Sequence, residues 1–144
     1  MRVPIDALDQ KILALLRNDA RTPHAAIGRE VGLTGPAVLA RIRKLEESGT
    51  IQGYRAVVDD KGLRAVVRVV TRPTPGGEQA FERFVLDEPR IEGCYDVDGE
   101  DSFLLTVRCV DPKDLQQLLL SVRSQPTVLR TVTNIVLSVV KETA

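Results

Sequence analysis

Apolar residues return along this chain at two different periods, and the change from one to the other divides it. Leu8, Ile12, Leu15 and Leu16 recur at helical spacing behind Asp6, a capping residue, with Asp9 in the opening turn, until Asn18-Asp19 ends the pattern. Ile27 and Val31 form a second helical stripe, opened by Thr22 as cap and Pro23 at the first helical position. Gly32-Leu33-Thr34 then turns the chain sharply: the glycine takes the left-handed backbone that stops a helix, and the Thr34 oxygen caps the next one. Val38, Ile42 and Leu45 predict that third helix from about Gly35 to Ser48, stopped by Gly49. Residues 50–58 are β-prone and broken by Gly53, so three helices and a ribbon predict a winged helix-turn-helix.

Beyond the polar turn Asp59-Asp60-Lys61-Gly62 the period shortens. Residues 65–70 read as a strand, 73–77 as a break, and Phe81, Phe84 and Val85 as the inner face of a helix closed by Pro89. Residues 91–97 and 103–110 read as strands around a turn, with Phe103, Leu105, Val107 and Cys109 alternating onto one face. Leu115, Leu118, Leu119 and Val122 give the strongest helical period, over 112–123, and a last strand is expected from about Val128 to Val140. The order β-α-β-β-α-β predicts a ferredoxin-like sheet with both helices on one face, hence an α+β chain. The expected division is a DNA-binding domain over 1–58, a hinge over 59–63, and a second domain over 64–144. Val66-Val67, Val69-Val70, Ile135-Val136-Leu137 and Val139-Val140 are apolar toward both faces, and two helices cover only one. A second copy packed sheet against sheet would cover the other, so a homodimer is expected.

The net charge of zero argues against a general polyanion binder, yet it hides an asymmetry. Residues 1–55 carry nine Lys and Arg against six Asp and Glu, which puts the basic excess on the helix-turn-helix. Cys94 and Cys109 lack metal or redox spacing and fall in predicted strands, so both are expected to be buried, reduced thiols. No apolar run approaches the roughly 18 residues of a membrane span. Residues 1–6 carry no secretory apolar core, and a cytoplasmic protein without membrane contact is expected. His24 stands alone and reads as a surface residue, and Gly76-Gly77 lacks the Gly-Lys-Ser/Thr of a phosphate loop. No set of residues suggests catalysis, a cofactor or a metal site.

Two groups of residues carry candidate chemistry. If the second helix of the motif enters a major groove by its N-terminal end, Thr34, Gly35, Pro36, Ala37 and Ala40 meet the bases, with Arg41, Arg43 and Lys44 nearby. Ala37 and Ala40 can touch thymine methyl groups but read no hydrogen-bond pattern, which predicts modest sequence specificity and a preference for deformable A/T-rich DNA. The plain alternative for the three basic residues is a solvated face, and Arg41, three residues after Val38, is also placed to brace the scaffold. Arg21 and Arg55 are candidate flanking phosphate contacts. The second group is the turn Asp98-Gly99-Glu100-Asp101-Ser102, where carboxylates would receive an α-ammonium, and amides around Gly99 with the Ser102 hydroxyl would receive an α-carboxylate. Composition alone favours a plain acidic hairpin turn there.

Several short runs recur in one known family: Leu8-Asp9, Asn18-Asp19-Ala20-Arg21, Leu33-Thr34 with Ala37-Val38 and Arg41-Ile42, and Leu45-Glu46-Glu47-Ser48-Gly49-Thr50-Ile51. Gly53-Tyr54, Gly99-Glu100-Asp101-Ser102 and Thr133-Asn134-Ile135-Val136-Leu137 complete the set. With these residues the chain resembles the Lrp/AsnC feast-or-famine transcriptional regulators along nearly its full length. The resemblance implies a winged helix-turn-helix joined to a ligand-sensing, ferredoxin-like (RAM/ACT-like) domain. It also implies dimers that often assemble further, to octamers for instance, and an amino-acid effector in many members, with Gly99, Glu100, Asp101 and Ser102 as the effector-binding turn. There are departures. Gly28 replaces the usual alanine, expected to be sterically harmless; the stretch from Asp60 to Ala65 is short, which would stiffen the hinge; Ala40 stands where arginine is common, and Ser102 where aspartate is.

The expected function is a DNA-binding transcriptional regulator acting on double-stranded DNA as a homodimer or larger assembly, modulated by an amino acid or related metabolite. The alternatives are an effector-independent architectural DNA-binding protein and a regulatory subunit that docks on an enzyme.

Overall fold

The computed structural model describes residues 4–142, so the first three positions of the expected DNA-binding domain and the last two of the second domain lie outside the described residues. Two compact units divide between Val58 and Asp59.

The first unit is built from α1 (Ala7–Asn18), α2 (His24–Val31) and α3 (Gly35–Glu47). Asp6 and Asp9 close a reciprocal capping box at the start of α1, satisfying two amides that the helix itself leaves without partners. Ile12, Leu16, Ile27, Val38 and Ile42 form the core, with Leu15, Val31, Leu33 and Ile51 packed around it. The entry to α2 differs from expectation. Pro23 occupies the cap position and the helix begins at His24, while the Thr22 hydroxyl donates to the Asp19 carbonyl at 2.7 Å. Thr22 therefore closes the preceding turn and caps nothing. The expected ribbon over residues 50–58 is also absent: the segment has no regular hydrogen bonding, and Tyr54, Val57 and Val58 are exposed. A β-prone segment needs a partner strand, and the described residues supply none here.

The second unit holds β1 (Leu63–Thr71), α4 (Gly77–Asp87), β2 (Ile91–Asp96), β3 (Phe103–Cys109), α5 (Pro112–Arg123) and β4 (Val128–Ile135). All pairings are antiparallel, in the spatial order β2-β3-β1-β4. Alternation sends Ala65, Val67 and Val69 of β1 and Leu105, Val107 and Cys109 of β3 inward, where they meet Phe81 of α4 and Leu115, Leu118, Leu119 and Val122 of α5. Phe81 is central, with its ring 5.0 Å from that of Phe103. Asp111 caps α5 through a bond from the Asp114 amide, and Pro112 occupies its first turn.

Three expectations about this unit need correction. β4 ends at Ile135: the Val136 amide still bonds to the Arg64 carbonyl, but the ladder goes no further, and Leu137 and Val140 are almost fully exposed. Cys109 is buried, whereas Cys94 is exposed; both are free thiols. The open face of the sheet is not wholly apolar. Val66, Arg68 and Val70 of β1 stand beside Thr106 and Leu104 of β3 and Asn134, Val132 and Arg130 of β4. The valine runs concealed Arg64 and Arg68, which share that face with Val66 and Val70. Three of the arginines there turn to a carboxylate: Arg64 to Glu142 at 2.7 Å, Arg108 to Glu92 at 2.6 Å, and Arg68 to Asp101 at 3.6 Å.

Candidate nucleic-acid interface and effector turn

The corner between α2 and α3 is held more closely than its sequence suggests. Gly32 adopts φ +76°, and its amide and that of Leu33 both bond to the Gly28 carbonyl, at 2.8 and 2.9 Å. The Leu33 carbonyl oxygen in turn comes down onto Gly28, where an added Cβ would stand only 2.3 Å from it. The glycine at 28 is thus a condition of this corner and not a neutral exchange for alanine. The Thr34 hydroxyl accepts a bond from the Ala37 amide at 3.3 Å, and Pro36 sits in the first turn of α3, so that helix starts with a capped end.

From there the 3.6-residue period sorts α3 into two faces. Val38, Ile42 and Leu45 are buried, while Thr34, Pro36, Ala40, Arg43 and Lys44 are exposed and Ala37 is half-buried at the edge. Among the described residues neither Arg43 nor Lys44 forms an ion pair.

Arg41, grouped by sequence with the DNA-facing side chains, is turned to the scaffold. Its Nη1 lies 2.6 Å from Asp6 Oδ2 and 3.0 Å from Asp9 Oδ1. The hydrogen bond from Arg41, with that from the Asp9 amide, holds the Asp6 carboxyl below its ordinary value, and the Asp6 and Asp9 carboxylates raise the Arg41 guanidinium. Asp6 and Asp9 were legible as a capping pair, but nothing in their spacing pointed to α3. The usable signal was the position of Arg41 at the edge of the buried stripe. Tyr54 donates to Glu46 at 3.2 Å, and partial desolvation of this otherwise exposed side chain, aided by that carboxylate, raises its phenol.

In the second unit, residues 97–102 join β2 to β3. Gly99 adopts φ +119° with open space around it, and Glu100 is exposed. Ser102 is built into the sheet: its amide bonds to the Val69 carbonyl at 2.8 Å, its carbonyl accepts from the Val97 amide at 3.1 Å, and its Oγ accepts from the Thr71 amide at 3.0 Å. Oγ keeps its own hydrogen for donation. Asp101 is half-buried beside Arg68, a neighbour the sequence reading missed; a lone arginine inside a valine run was the available signal. Open depressions of the surface lie elsewhere, around Pro73 to Glu82 and around Leu13. Among the described residues no three His, Cys, Asp or Glu are placed to hold a metal ion, and no helix is long and apolar enough to cross a membrane.

A capped, outward-facing helix after a tight glycine corner, followed by a separate βαββαβ unit, defines a helix-turn-helix DNA-binding protein with a second, sheet-based domain. Comparison with known proteins makes the class specific. Residues 5–46 match the AsnC-type helix-turn-helix domain and residues 64–144 the Lrp/AsnC ligand binding domain. The chain belongs to the Lrp/AsnC family of DNA-binding transcriptional regulators. It is 32% identical over 145 residues to the HTH-type transcriptional regulator FL11 of Pyrococcus horikoshii, covering 99% of this chain and 96% of that protein. It is 33% identical to the leucine-responsive regulatory protein of Haemophilus influenzae, over 96% of this chain and 87% of that one. Among solved structures it is similar to a transcriptional regulator of Neisseria meningitidis in complex with L-Met, with a TM-score of 0.92, 26% identity, and 97% and 94% of the two chains covered. It is also similar to a feast or famine regulatory protein of M. tuberculosis complexed with L-methionine, with a TM-score of 0.83, 28% identity and 96% of each chain covered.

Proposed function

We propose that this chain regulates transcription in the cytoplasm as a homodimer that sets two α3 helices about one DNA turn apart, roughly 34–36 Å, on a pseudo-palindromic site. Residues 1–58 bind DNA, residues 64–144 sense an effector and pair the subunits, and residues 59–63 act as the hinge. The open sheet face supports the pairing: Val66, Val70, Leu104 and Val132 are only half-buried, and α4 and α5 pack on the opposite side. On α3, Arg43 and Lys44 contact phosphates, while Thr34, Pro36, Ala37 and Ala40 approach the base edges. The observation that carries this reading is the outward face of α3, small at its N-terminal end and basic further along.

Because alanine and proline read no hydrogen-bond pattern, specificity is modest and favours A/T-rich, deformable sequence. A binding selection on random duplexes tests this: a short, degenerate A/T-rich consensus is expected, and a long, sharply defined motif would overturn it. Affinity should also fall steeply with salt.

The effector is an amino acid, a reading supported by the similar proteins whose structures are in complex with L-methionine, and its site is the turn of Gly99, Glu100, Asp101 and Ser102. The Gly99 amide and the Ser102 hydroxyl suit an α-carboxylate, and Glu100 and Asp101 suit an α-ammonium. Calorimetric titration with each common amino acid tests it. Silence throughout would favour the alternative of an effector-independent architectural protein, to which the weakly discriminating face of α3 also points.

A further inference from the structure

We propose that Arg41 is a positioning residue: by joining both acids of the α1 capping box to the middle of α3, it fixes the rotation of the recognition helix and does not itself contact DNA. The inference rests on the DNA-binding reading of α3. Each carboxylate divides its two oxygens. Asp6 Oδ1 accepts from the Asp9 amide at 2.8 Å and Asp9 Oδ2 from the Asp6 amide at 3.2 Å, which closes the cap. The remaining oxygens, Asp6 Oδ2 and Asp9 Oδ1, both receive the same nitrogen, Arg41 Nη1.

Two acids at one helix start suit its dipole but repel each other, and the guanidinium between them relieves that repulsion. Side-chain exposure falls to 13% at Asp9 and is 30% at Arg41, so the contact is shielded on the Asp9 side. Val38 and Ile42 anchor the buried face of α3, and Arg41, between them in sequence, pins its flank. Without that pin, apolar packing alone would set the helix's rotation, and with it the aim of Ala40, Arg43 and Lys44. A recognition surface held loosely by even a small displacement loses much of its use. Reaching a phosphate would cost Arg41 both carboxylates at once.

The test compares wild type, Arg41→Met, Asp9→Asn and Arg43→Met, all full-length, for binding a fluorescein-labelled A/T-rich duplex across a salt series, with unfolding midpoints recorded alongside. Arg43→Met should lower the salt slope by about one, as loss of a phosphate contact does. Arg41→Met should weaken binding roughly five-fold or more at every salt with its slope unchanged. Asp9→Asn separates the readings further, because removing a negative charge strengthens DNA binding through the field alone, whereas loss of the brace weakens it. A slope reduced by one in Arg41→Met, or unchanged or tighter binding by Asp9→Asn, would overturn the proposal. Should Arg41→Met fail to fold, Asp9→Asn decides alone. If wild type lacks affinity for the duplex, the DNA-binding reading fails, and amide hydrogen exchange still decides the brace: Asp9→Asn should speed exchange along α3, and unchanged protection there would refute it.

Discussion

The two units reach order by different means. The first closes over a core cluster of five apolar side chains on three short helices, and it relies on backbone fit and polar pins: Gly28 under the Leu33 carbonyl, Thr34 on the Ala37 amide, Arg41 between two carboxylates. The second gathers a core cluster of twelve buried residues, Phe81 among them, with a four-stranded sheet beneath two helices. A larger core tolerates a lost contact, whereas a small one leaves the helix-turn-helix dependent on single positions. The DNA-facing surface of α3 is placed by features that contribute little apolar area.

The largest effect sharpens the contrast from the side of the larger core. Phe81→Ala should cost about 3–5 kcal/mol by denaturant unfolding, since it opens a void between α4, α5 and the sheet. A loss below about 1 kcal/mol would mean that the second unit is not organised around this ring. Next comes Gly28→Ala. By helix propensity alone it should stabilise α2 by about 1 kcal/mol. With the Leu33 carbonyl oxygen 2.3 Å from the new methyl, the corner must open instead, and a net loss of about 1–3 kcal/mol is expected, with DNA affinity reduced beyond the fraction unfolded. A stabilised, fully binding variant would show the corner to be pliant.

How legible was this in the sequence? Elements with long, regular periods were: the extent of α5 follows from Leu115, Leu118, Leu119 and Val122, and the inward face of β3 from simple alternation. Where an element depends on a partner, the local pattern misled. Residues 50–58 and 136–140 are β-prone, yet among the described residues the first finds no partner strand and the second keeps only the bond from the Val136 amide to the Arg64 carbonyl. The close approach at Gly28 was invisible because a backbone contact across a turn leaves no trace in side-chain type. Arg41 stood in the sequence among cations suited to phosphate, and only the placement of α1 beside α3 shows where its charge is spent. At the effector turn the sequence exposed the acids and the hydroxyl but not that Ser102 Oγ holds the Thr71 amide.

That bond supplies a smaller effect. Ser102→Ala leaves the half-buried Thr71 amide without its acceptor and should cost about 1 kcal/mol in unfolding free energy. The same variant should abolish any calorimetric response to an amino acid. Ser102→Asp restores an acceptor for that amide but adds a negative charge where an α-carboxylate is proposed to sit. Recovered stability with no recovered response would separate the two roles of the side chain, and a response undiminished in Ser102→Ala would remove Ser102 from the effector site.

The smallest effect compares the two units by their acid sensitivity. In the first, Asp6 is held below its ordinary value by the hydrogen bond from Arg41 and then by the Asp9 amide. In the second, Glu88 is lowered by Arg90, and Asp114 by the Val110 amide and then by Arg90. A carboxyl lowered in the folded state contributes stability that is fully present above its unfolded value, near pH 4, and is lost as the pH falls through the folded value. Unfolding midpoints should therefore fall on acidification below about pH 4. Arg41→Met should flatten that fall slightly, because the pair it breaks is exposed, and Arg90→Met should flatten it more, because Arg90 holds both Glu88 oxygens and Asp114 in a half-buried cluster. Equal flattening by the two variants would mean that burial around Arg90 adds nothing, and that the polar pins of the small helical unit hold as firmly as those at the edge of the large core.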